Sequence, residues 1–395
     1  MEHTDEHRAG QHRADDHRTN EHDALLRLLH SGAPASALRR LLDSHADARA
    51  ACAAGPRDWA SHGLSAAACN AIRKPDADAL ARSGAWLAQP GHQLLGWRDE
   101  AYPPLLRRIS APPAMLFVAG DPGLLWRPAV AIVGSRSATA GGKANAAAFA
   151  GALSKAGLCI ASGLAAGIDG AAHEATLAAH GHTVAVLGTG PDVAYPARHR
   201  ALLAQVAARG AVASEHPPGT GPRSPHFPSR NRILAGLTLA TIVIEAAERS
   251  GALITARLAA DAGREVFALP GSIHNPMARG CHRLIRDGAQ LVESPAEVVE
   301  AIAPLVADLA RALRGALDPA AAALSASAAG PADGSAWPDP DYNRLWQALG
   351  HDPTGMDELV ERSGLTAASA SSILLALELE GRVAAEHGRY TRIRA

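Results

Sequence analysis

The residue whose type and position most clearly suit ligand binding is Arg136. It ends the tight turn Gly134-Ser135-Arg136, directly after the apolar run 130–133. A second apolar run, 159–161, breaks into Ser162-Gly163 in the same way. Turns at the carboxyl ends of parallel strands meet at one edge of a sheet, where such sheets bind ligands. Glycine leaves no Cβ in the way, so a phosphate can approach backbone N–H groups, and Arg136 adds a fixed positive charge. The two turns therefore predict an anion-binding site.

A strongly positive stretch lies further along the chain, between Ala197 and Arg232. It contains six arginines and a single acid, although the formal net charge of the whole chain is -1. The arginines stand in Gly- and Pro-rich loops on the expected ligand side of the sheet, which favours an anionic partner over a merely solvated face. Tyr195 and Phe227 lie in the same loops, and a nucleobase can stack on either, with burial against the sheet as the alternative.

The elements that position these residues alternate between strand-type and helix-type segments from about Ala129 to Pro304. This alternation predicts a doubly wound parallel α/β sheet. The strap before it, from about Gln89 to Pro128, is rich in prolines that demand extended backbone, and its run 115–120 is predicted to be an edge strand. Further strands are predicted at 183–187, 212–214, 241–245, 265–269 and 290–292.

A length of 395 residues gives a prior of two to three domains. Helical periodicity with Gly and Pro breaks predicts a small N-terminal helical domain, and the last segment reads as three helices and a hairpin, which is a winged-helix pattern. The predicted division is a disordered polar tail at 1–22, the helical domain at 23–88, the sheet domain with its strap at 89–304, a linker at 305–340 and the winged-helix domain at 341–395.

Composition narrows the function classes further. Apolar residues make up 47% and charged residues 19% of the chain, as in a globular protein with a sizeable core. The four cysteines form no CxxC pair, so neither a metal site nor a disulfide framework is expected. No apolar run approaches the ~18 residues of a membrane span, and the polar N-terminus lacks a signal-peptide core. We therefore expect a cytoplasmic protein without metal or cofactor.

Eight strings of the sequence carry a family resemblance that covers about Tyr102 to Ala289. They are YPPLLRRISAPPAMLFVAG, VAIVGSR, SGLAAGIDGAAH, VAVLGTGPDVAYP, SEHPPGTGP, HFPSRNRILAGL, EAAERSGALITA and GREVFALPG. In this order they resemble the bacterial DNA-processing protein A family (DprA/Smf), which protects incoming single-stranded DNA and loads the recombinase RecA. The resemblance implies an extended Rossmann fold, a homodimer, and a role in DNA processing and recombination during natural transformation.

The resemblance also implies DNA-binding roles for Arg136, for Arg223 just before the HFP string, and for Phe227 within it. One turn departs from the family pattern, because Ala197 stands where the family often has a lysine, and Arg198 is the candidate for the missing charge. The full predicted DNA-binding set is Gly134, Ser135, Arg136, Ser162, Gly163, Arg198, Arg223, Phe227, Arg230 and Asn231.

Two other function classes compete with this interpretation. A Rossmann enzyme that uses a nucleotide, such as a dehydrogenase or a phosphoribohydrolase, needs GxGxxG or PGGxGTxxE, and neither motif is present. Asp169, His173 and Glu245 are conceivable acid–base residues, but the structural interpretation is preferred, with Asp169 as a helix cap. A duplex-reading transcription factor needs basic or amide side chains on the third helix of its winged domain. The helix TAASASSILLALELE has none and ends in two acids, which disfavours a duplex reader. Because the strand-end turns show no metal cluster, nucleophile–base pair or nucleotide fingerprint, a binding protein without catalysis is expected.

Overall fold

The computed structural model describes residues 20–317, 340–349, 354–379, 383–386 and 389–392. The chain divides into two compact units, Met1–Asp308 and Leu309–Ala395. In the part of the chain that is described, no helix is long and apolar enough to cross a bilayer.

The first unit begins with six helices. Three of them start with a side-chain cap, because Asp47, Ser65 and Asp76 each accept a hydrogen bond from the backbone N–H three residues ahead. Buried leucines of these helices share one hydrophobic core with one face of the sheet, so the predicted boundary at 88/89 separates two segments of a single compact unit. The helices are α1 (20–30), α2 (Ala35–Asp43), α3 (Ala48–Ala53), α4 (Pro56–Ser61), α5 (Ala66–Arg73) and α6 (Ala77–Leu87).

A nine-stranded sheet forms the centre of this unit, in the order β1-β2-β6-β5-β4-β3-β7-β8-β9. The strands from β6 to β9 in that order are parallel. β2 pairs antiparallel with β6, and β1 pairs antiparallel with β2. The strands are β1 (His92–Gly96), β2 (Met115–Gly120), β3 (Ala129–Val133), β4 (Cys159–Ser162), β5 (Thr183–Leu187), β6 (Ala211–Ser214), β7 (Ala240–Val243), β8 (Glu265–Ala268) and β9 (Gln290–Leu291).

The prediction of β2 as an edge strand is wrong. It lies between β1 and β6 and is buried along nearly its whole length. β1 was not predicted, because HQLLG is short, begins with polar residues and shows no clear alternation. The remaining strand predictions agree with the structure to within two residues at each end.

Helices cover both faces of the sheet, and besides the core shared with the N-terminal helices two further hydrophobic clusters lie between helices and strands. Val130 and Ile132 of β3 point into one cluster, while Ala131 and Val133 point into the other, as the two-residue period of a strand requires. The helices are α7 (Pro104–Arg107), α8 (Ala140–Lys155), α9 (Ile168–Ala178), α10 (Arg200–Arg209), α11 (His226–Leu237), α12 (Gly251–Asp261), α13 (Arg279–Arg286) and α14 (Pro295–Leu317).

The strand order reverses direction beside β3. From β3 the chain winds outward through β4, β5 and β6, and it then returns to place β7 on the other side of β3. The loops that leave the carboxyl ends of β3 and β7 therefore diverge and leave a crevice between them. This topological switch point is where an open parallel sheet binds its ligands.

The predicted linker begins too early. α14 continues through Pro304 to Leu317, so residues 305–317 are helical. Val298 and Ile302, four residues apart, are buried on one face of this helix and fix its direction. Residues 305–317 resemble a linker in their alanine content, but alanine has the highest helix propensity, which favours the observed helix.

The second unit has the helix and strand order of a winged helix. Its helices pack around a small core that includes Leu345, Leu359 and Leu374, and its strands form an antiparallel sheet in the order β10-β12-β11. The short β10 was not predicted, and the predicted hairpin turn at His387-Gly388 lies outside the described residues. The elements are α15 (Pro340–Ala348), β10 (Thr354–Gly355), α16 (Met356–Ser363), α17 (Ala367–Leu379), β11 (Val383–Glu386) and β12 (Arg389–Arg392).

Candidate nucleic-acid interface

A cavity of about 650 Å³ opens at the switch point; we call it the switch cavity. Its walls come from the turn after β3, the loop after β7, the start of α11 and the loop after β5. The side chains and backbone that line it include Gly134, Ser135, Arg136, Asp169, Tyr195, Phe227, Arg230, Asn231, Arg249, Ser250 and Met277. Most of the residues predicted for DNA binding are therefore brought together at one place.

Arg136 and two aromatic rings form one wall of the switch cavity. Arg136 is exposed, and its Cζ lies 5.4 Å from the centroid of the Phe227 ring. The Tyr195 and Phe227 rings lie 5.0 Å apart at an interplanar angle of 37°. Phe227 is half-buried while Tyr195 is 41% exposed, so neither ring is sealed in the core. The wall combines surfaces on which a base can stack with a cation that can bind a phosphate.

The turn after β3 has a different physical basis from the predicted one. A Cβ on Gly134 would lie 2.5 Å from Ile168 Cγ1 and 2.8 Å from the Glu245 carbonyl oxygen. The Ser135 N–H donates to that same oxygen at 2.7 Å, and the Ser135 hydroxyl, which is largely buried, donates to Met277 Sδ. The room left by glycine is thus filled by the protein itself, and the turn is braced so that Arg136 projects outward.

The turn after β4 is likewise turned inward. Ser162 is fully buried and donates its hydroxyl hydrogen to the Ile132 carbonyl oxygen at 2.6 Å. Gly163 is needed because a Cβ there would overlap the guanidinium group of Arg230. Neither residue lines the switch cavity, so their predicted direct contact with DNA is not what the structure indicates. Leu164, a buried non-glycine residue at φ 56, keeps this turn in a strained left-handed conformation.

Two buried residues of opposite charge, Arg230 and Asp169, form part of the floor of the switch cavity. Arg230 is only 6% exposed, and burial lowers its pKa to about 10. It donates to the Val186 carbonyl oxygen and, through Nε, to Asn231 Oδ1 at 3.2 Å. Asn231 in turn donates to the Gly251 carbonyl oxygen at 3.4 Å. Arg230 and Asn231 therefore tie α11 to the loops around it, and they border the cavity from below rather than extending into solvent.

Asp169 belongs to this floor and does not cap its helix. The N-cap of α9 is Gly167, and the Asp169 carboxylate accepts hydrogen bonds from the Gly163 and Ala165 N–H groups at 3.1 and 3.4 Å. Burial raises the pKa of Asp169, while the nearby positive charge of Arg230 acts in the opposite direction. The amides that were predicted to bind a phosphate are thus satisfied by this internal carboxylate.

Another internal carboxylate lies at the N-terminus of α8. The Glu245 side chain accepts hydrogen bonds from the Thr139 N–H at 2.9 Å and from the Thr139 hydroxyl at 2.7 Å. Only a glycine fits at Gly142, because a Cβ there would overlap the Glu245 carboxylate. In dinucleotide-binding folds the pyrophosphate sits at the N-terminus of the helix after the first strand. Here the protein fills the corresponding position with its own negative charge.

The structure accounts separately for each of the six arginines of the positive stretch. Arg232 makes a two-oxygen ion pair with Glu215, at 2.5 and 2.6 Å, and Arg209 donates to the Leu177 carbonyl oxygen at 2.6 Å. Arg230 is buried, as described above. The exposed members are Arg198, Arg200, Arg209 and Arg223, of which Arg209 is tied to the Leu177 carbonyl oxygen. The charge available to a ligand is therefore smaller than the sequence count implied.

A second cavity, of about 600 Å³, adjoins the first; we call it the side cavity. It shares Arg136 and Tyr195 with the switch cavity, and Arg198 and Arg200 line it as well. Arg223 lines neither cavity and lies exposed in the loop before α11.

Sequence reasoning missed Arg249, which is exposed and lines the switch cavity. Its position shortly after β7 was a usable signal, because loops at the carboxyl ends of parallel strands are where such sheets bind ligands. Met277 was also missed, and nothing in its local sequence marks it. Within the described ranges, no group of three or more His, Cys, Asp or Glu side chains could hold a metal ion.

Two segments of the chain match known protein families. Residues 93–303 match the family described as DNA recombination-mediator protein A, and residues 318–389 match the DprA winged helix domain. The chain belongs to the DNA recombination-mediator protein A family. The predicted family is thereby confirmed, and so is the predicted fold class of a Rossmann-like sheet core followed by a winged helix.

Named relatives agree with this assignment. Protein Smf from Escherichia coli K12 is 40% identical over 315 residues, which are 78% of this chain and 79% of that protein. DNA processing protein DprA from Streptococcus pneumoniae is 47% identical over 196 residues, 50% of this chain and 69% of that protein. The X-ray structure of DprA from Streptococcus pneumoniae superposes with a TM-score of 0.62 at 36% identity, covering 70% of this chain and 96% of that one.

Proposed function

We propose that this protein binds single-stranded DNA at the switch cavity, protects the incoming strand during natural transformation and loads RecA onto it. The observation that carries the proposal is the wall formed by Arg136, Phe227 and Tyr195, where a cation lies over the Phe227 ring and that ring lies beside Tyr195. Strand-binding proteins combine positive charge along the backbone with aromatic surfaces for the bases. Family membership supports the role in DNA processing, and RecA and a second copy of the chain are the partners that the family resemblance implies.

Within this proposal the predicted residues divide into two groups. Arg136, Arg198 and Arg223 are exposed and bind phosphates, and Phe227 stacks on a base. The other group shapes the cavity and holds these side chains in place, without extending into solvent. It consists of Gly134, Ser135, Ser162, Gly163, Arg230 and Asn231.

The geometry disfavours a nucleotide-using enzyme of the phosphoribohydrolase type. The Glu245 carboxylate occupies the helix N-terminus that would receive a nucleotide phosphate. His173 is fully buried, its Nδ1 lies 2.7 Å from Thr183 Oγ1, and burial lowers its pKa to about 3. Asp169 is 5% exposed and accepts two backbone N–H groups. These groups are engaged in holding the fold, and we propose that the protein acts by binding rather than by catalysis.

A titration separates the candidate functions. Labelled single-stranded and duplex oligonucleotides of equal length are titrated with the protein at fixed salt, with and without added nucleotides. We expect preferential binding of the single strand, with no effect of nucleotides. Preferential duplex binding would support a duplex reader. Nucleotide turnover that is lost in Asp169→Ala would show that the protein is an enzyme.

We propose a protein-contacting or modulating role for the winged domain. The exposed side chains described on α17 are Ala367, Ser371 and Ser372, so the helix that would enter a groove presents no cation there. Arg392 of the hairpin lies with its Cζ 4.3 Å from the Trp346 ring centroid and donates to the Trp346 carbonyl oxygen. The Arg392 side chain therefore stabilises the domain internally.

A further inference from the structure

We propose that His216 is a positioning residue for the DNA site: its ring, stacked on that of His226, holds the first turn of α11 so that Phe227 faces the switch cavity in one orientation. This inference rests on the proposed function, and it concerns a side chain that does not contact the ligand. Neither His216 nor His226 lines the switch cavity or the side cavity, so His216 is expected to raise single-strand affinity through Phe227 alone.

The first turn of α11 has few other anchors. The helix begins at His226, and its N-cap residue, Pro225, makes no side-chain capping hydrogen bond. Residues 221–225 before the helix are exposed, and so are residues 228–229 within its first turn. An uncapped helix end that is open to solvent unfolds locally at a low cost in free energy. The half-buried rings of His226 and Phe227 are therefore the main contacts that fix this turn.

The His226 ring is held on two sides. Its Nδ1 donates to the Gly188 carbonyl oxygen at 3.2 Å, and its face lies on the His216 ring, with centroids 3.9 Å apart and an interplanar angle of 15°. The Phe227 ring lies against the same loop, because a Cβ on Gly188 would be 3.1 Å from Phe227 Cδ1. Phe227 follows His226 directly in the chain, so a rotation of the first turn that breaks the stack also moves the Phe227 ring away from Arg136.

His216 itself is attached to a rigid part of the sheet. Its N–H donates to Ser214 Oγ at 3.0 Å, and Ser214 Oγ donates to the Thr189 carbonyl oxygen at 2.6 Å. Ser214 ends β6, which is buried between β2 and β5. Glu215, the neighbour of His216, makes the two-oxygen ion pair with Arg232 of α11. The loop after β6 therefore holds α11 at both its first and its second turn.

The ionisation of His216 is compatible with a stacked ring and not with a phosphate contact. Burial lowers the pKa of His216 to about 4, so this ring is neutral at pH 7. A neutral ring stacks on its neighbour without the repulsion that two imidazolium rings would exert on each other. It also adds no cation to the site, which distinguishes the expected effect of His216 from that of Arg136.

The test is a double-mutant cycle on DNA affinity. The wild-type protein, His216→Ala, Phe227→Ala and the double variant are titrated with a labelled oligothymidylate by fluorescence anisotropy at several salt concentrations. Two further variants are His216→Phe, which restores a planar ring, and His216→Leu, which fills the space without one. The matched control is His92→Ala, because the His92 ring stacks on Trp86 at the same centroid distance of 3.9 Å, outside both cavities.

The expected loss follows from the strength of the stack. A stacked aromatic pair shifts an equilibrium between two orientations by roughly 2- to 12-fold. Because apparent affinity falls with the population of the binding-competent state, His216→Ala is expected to weaken binding by up to that factor. It is expected to cause no further loss when Phe227 is already alanine, and to leave the slope of log K against log salt concentration unchanged. His216→Phe is expected to retain most of the affinity and His216→Leu to lose it, while His92→Ala lowers the melting temperature at constant affinity.

Three outcomes would overturn the inference. One is unchanged affinity in His216→Ala. Another is an equal loss with and without the Phe227 side chain, since His216 would then act independently of Phe227. The third is a salt slope that falls by about 0.7, which would indicate a direct phosphate contact. If His216→Ala does not fold, His216→Leu takes its place in the cycle under the same criteria. Failure of the wild-type protein to bind any oligothymidylate would instead refute the proposed function itself, so the two failures are distinguishable.

Discussion

Replacement of Arg136 by alanine tests the proposed site most directly. The side chain is exposed and lies over the Phe227 ring, with no ion pair to an acid among the described residues. A hydrogen bond to a charged group contributes about 1.5–3 kcal/mol. At 1.4 kcal/mol for each factor of ten, Arg136→Ala is expected to weaken single-strand binding by roughly 10- to 150-fold.

The same variant is expected to keep its fold. The contact that it removes within the protein is the cation–π contact with Phe227, which at an exposed site contributes about 0.5–1 kcal/mol. For a compact unit of this size, a loss of that order lowers the melting temperature by only a few degrees. Affinity and stability therefore change by clearly different amounts, which separates a role in binding from a role in folding.

The assay is fluorescence anisotropy with a labelled oligothymidylate at several salt concentrations, together with a thermal melt. Arg136→Lys keeps the charge but loses the planar fork, so it is expected to retain the salt dependence while it loses part of the affinity. Arg257→Ala, at an arginine whose side chain is 83% exposed outside both cavities, is the matched control. Unchanged affinity in Arg136→Ala, or a loss matched by Arg257→Ala, would refute the assignment.

Four further predictions follow from the same geometry. Arg223→Ala is expected to reduce the slope of log K against log salt concentration by about 0.7 or less. Phe227→Ala is expected to weaken binding by roughly 1–3 kcal/mol at a nearly constant slope. A large drop in the melting temperature of Phe227→Ala would instead identify Phe227 as a core residue. Ala197→Lys adds a cation to the side cavity and is expected to tighten binding and steepen the slope, as the same titration will show. A chain that ends at Leu317 keeps α14 whole and is expected to retain its self-association by sedimentation and most of its single-strand binding; a loss comparable to that of Arg136→Ala would make the winged domain a principal DNA site. Burial lowers the pKa of His216 to about 4, so the free energy of unfolding is expected to fall as pH drops from about 6.5 toward 4, and denaturant titrations of His216→Asn should show a weaker fall.

Local patterns were enough to predict the parallel strands and the strand ends that form the site. Apolar β-type runs that break into glycine identify β3 and β4, and their loops lie at one edge of the sheet because the carboxyl ends of parallel strands meet there. The place of Arg136 at a strand end and of Phe227 in a loop on the same side of the sheet was therefore predictable, and the family resemblance added the DNA-binding role of Phe227. β1 was not, because it is short and its place at the edge depends on pairing with β2, a contact distant in sequence.

The sequence did not reveal which arginines of the positive stretch are buried. Arg230 and Arg198 each follow a proline by two residues and precede another arginine by two, yet one is 6% exposed and the other faces solvent. The difference arises from Gly163, whose missing Cβ makes room for the Arg230 guanidinium from a different strand end. A count of charges along the chain cannot distinguish an arginine that fills such a gap from one that is free to bind a ligand.

The internal carboxylates explain why the site suits a strand rather than a single nucleotide. A Rossmann nucleotide site holds one pyrophosphate with backbone amides and a helix N-terminus. Here Asp169 takes the amides of the second turn and Glu245 takes the N-terminus of α8, so the groups that would fix one phosphate are already satisfied. What remains accessible is a set of long, charged side chains with the exposed ring of Tyr195 and the half-buried ring of Phe227, along adjoining cavities. Such groups tolerate different bases and different positions of the backbone, which is what binding along a single strand without sequence preference requires.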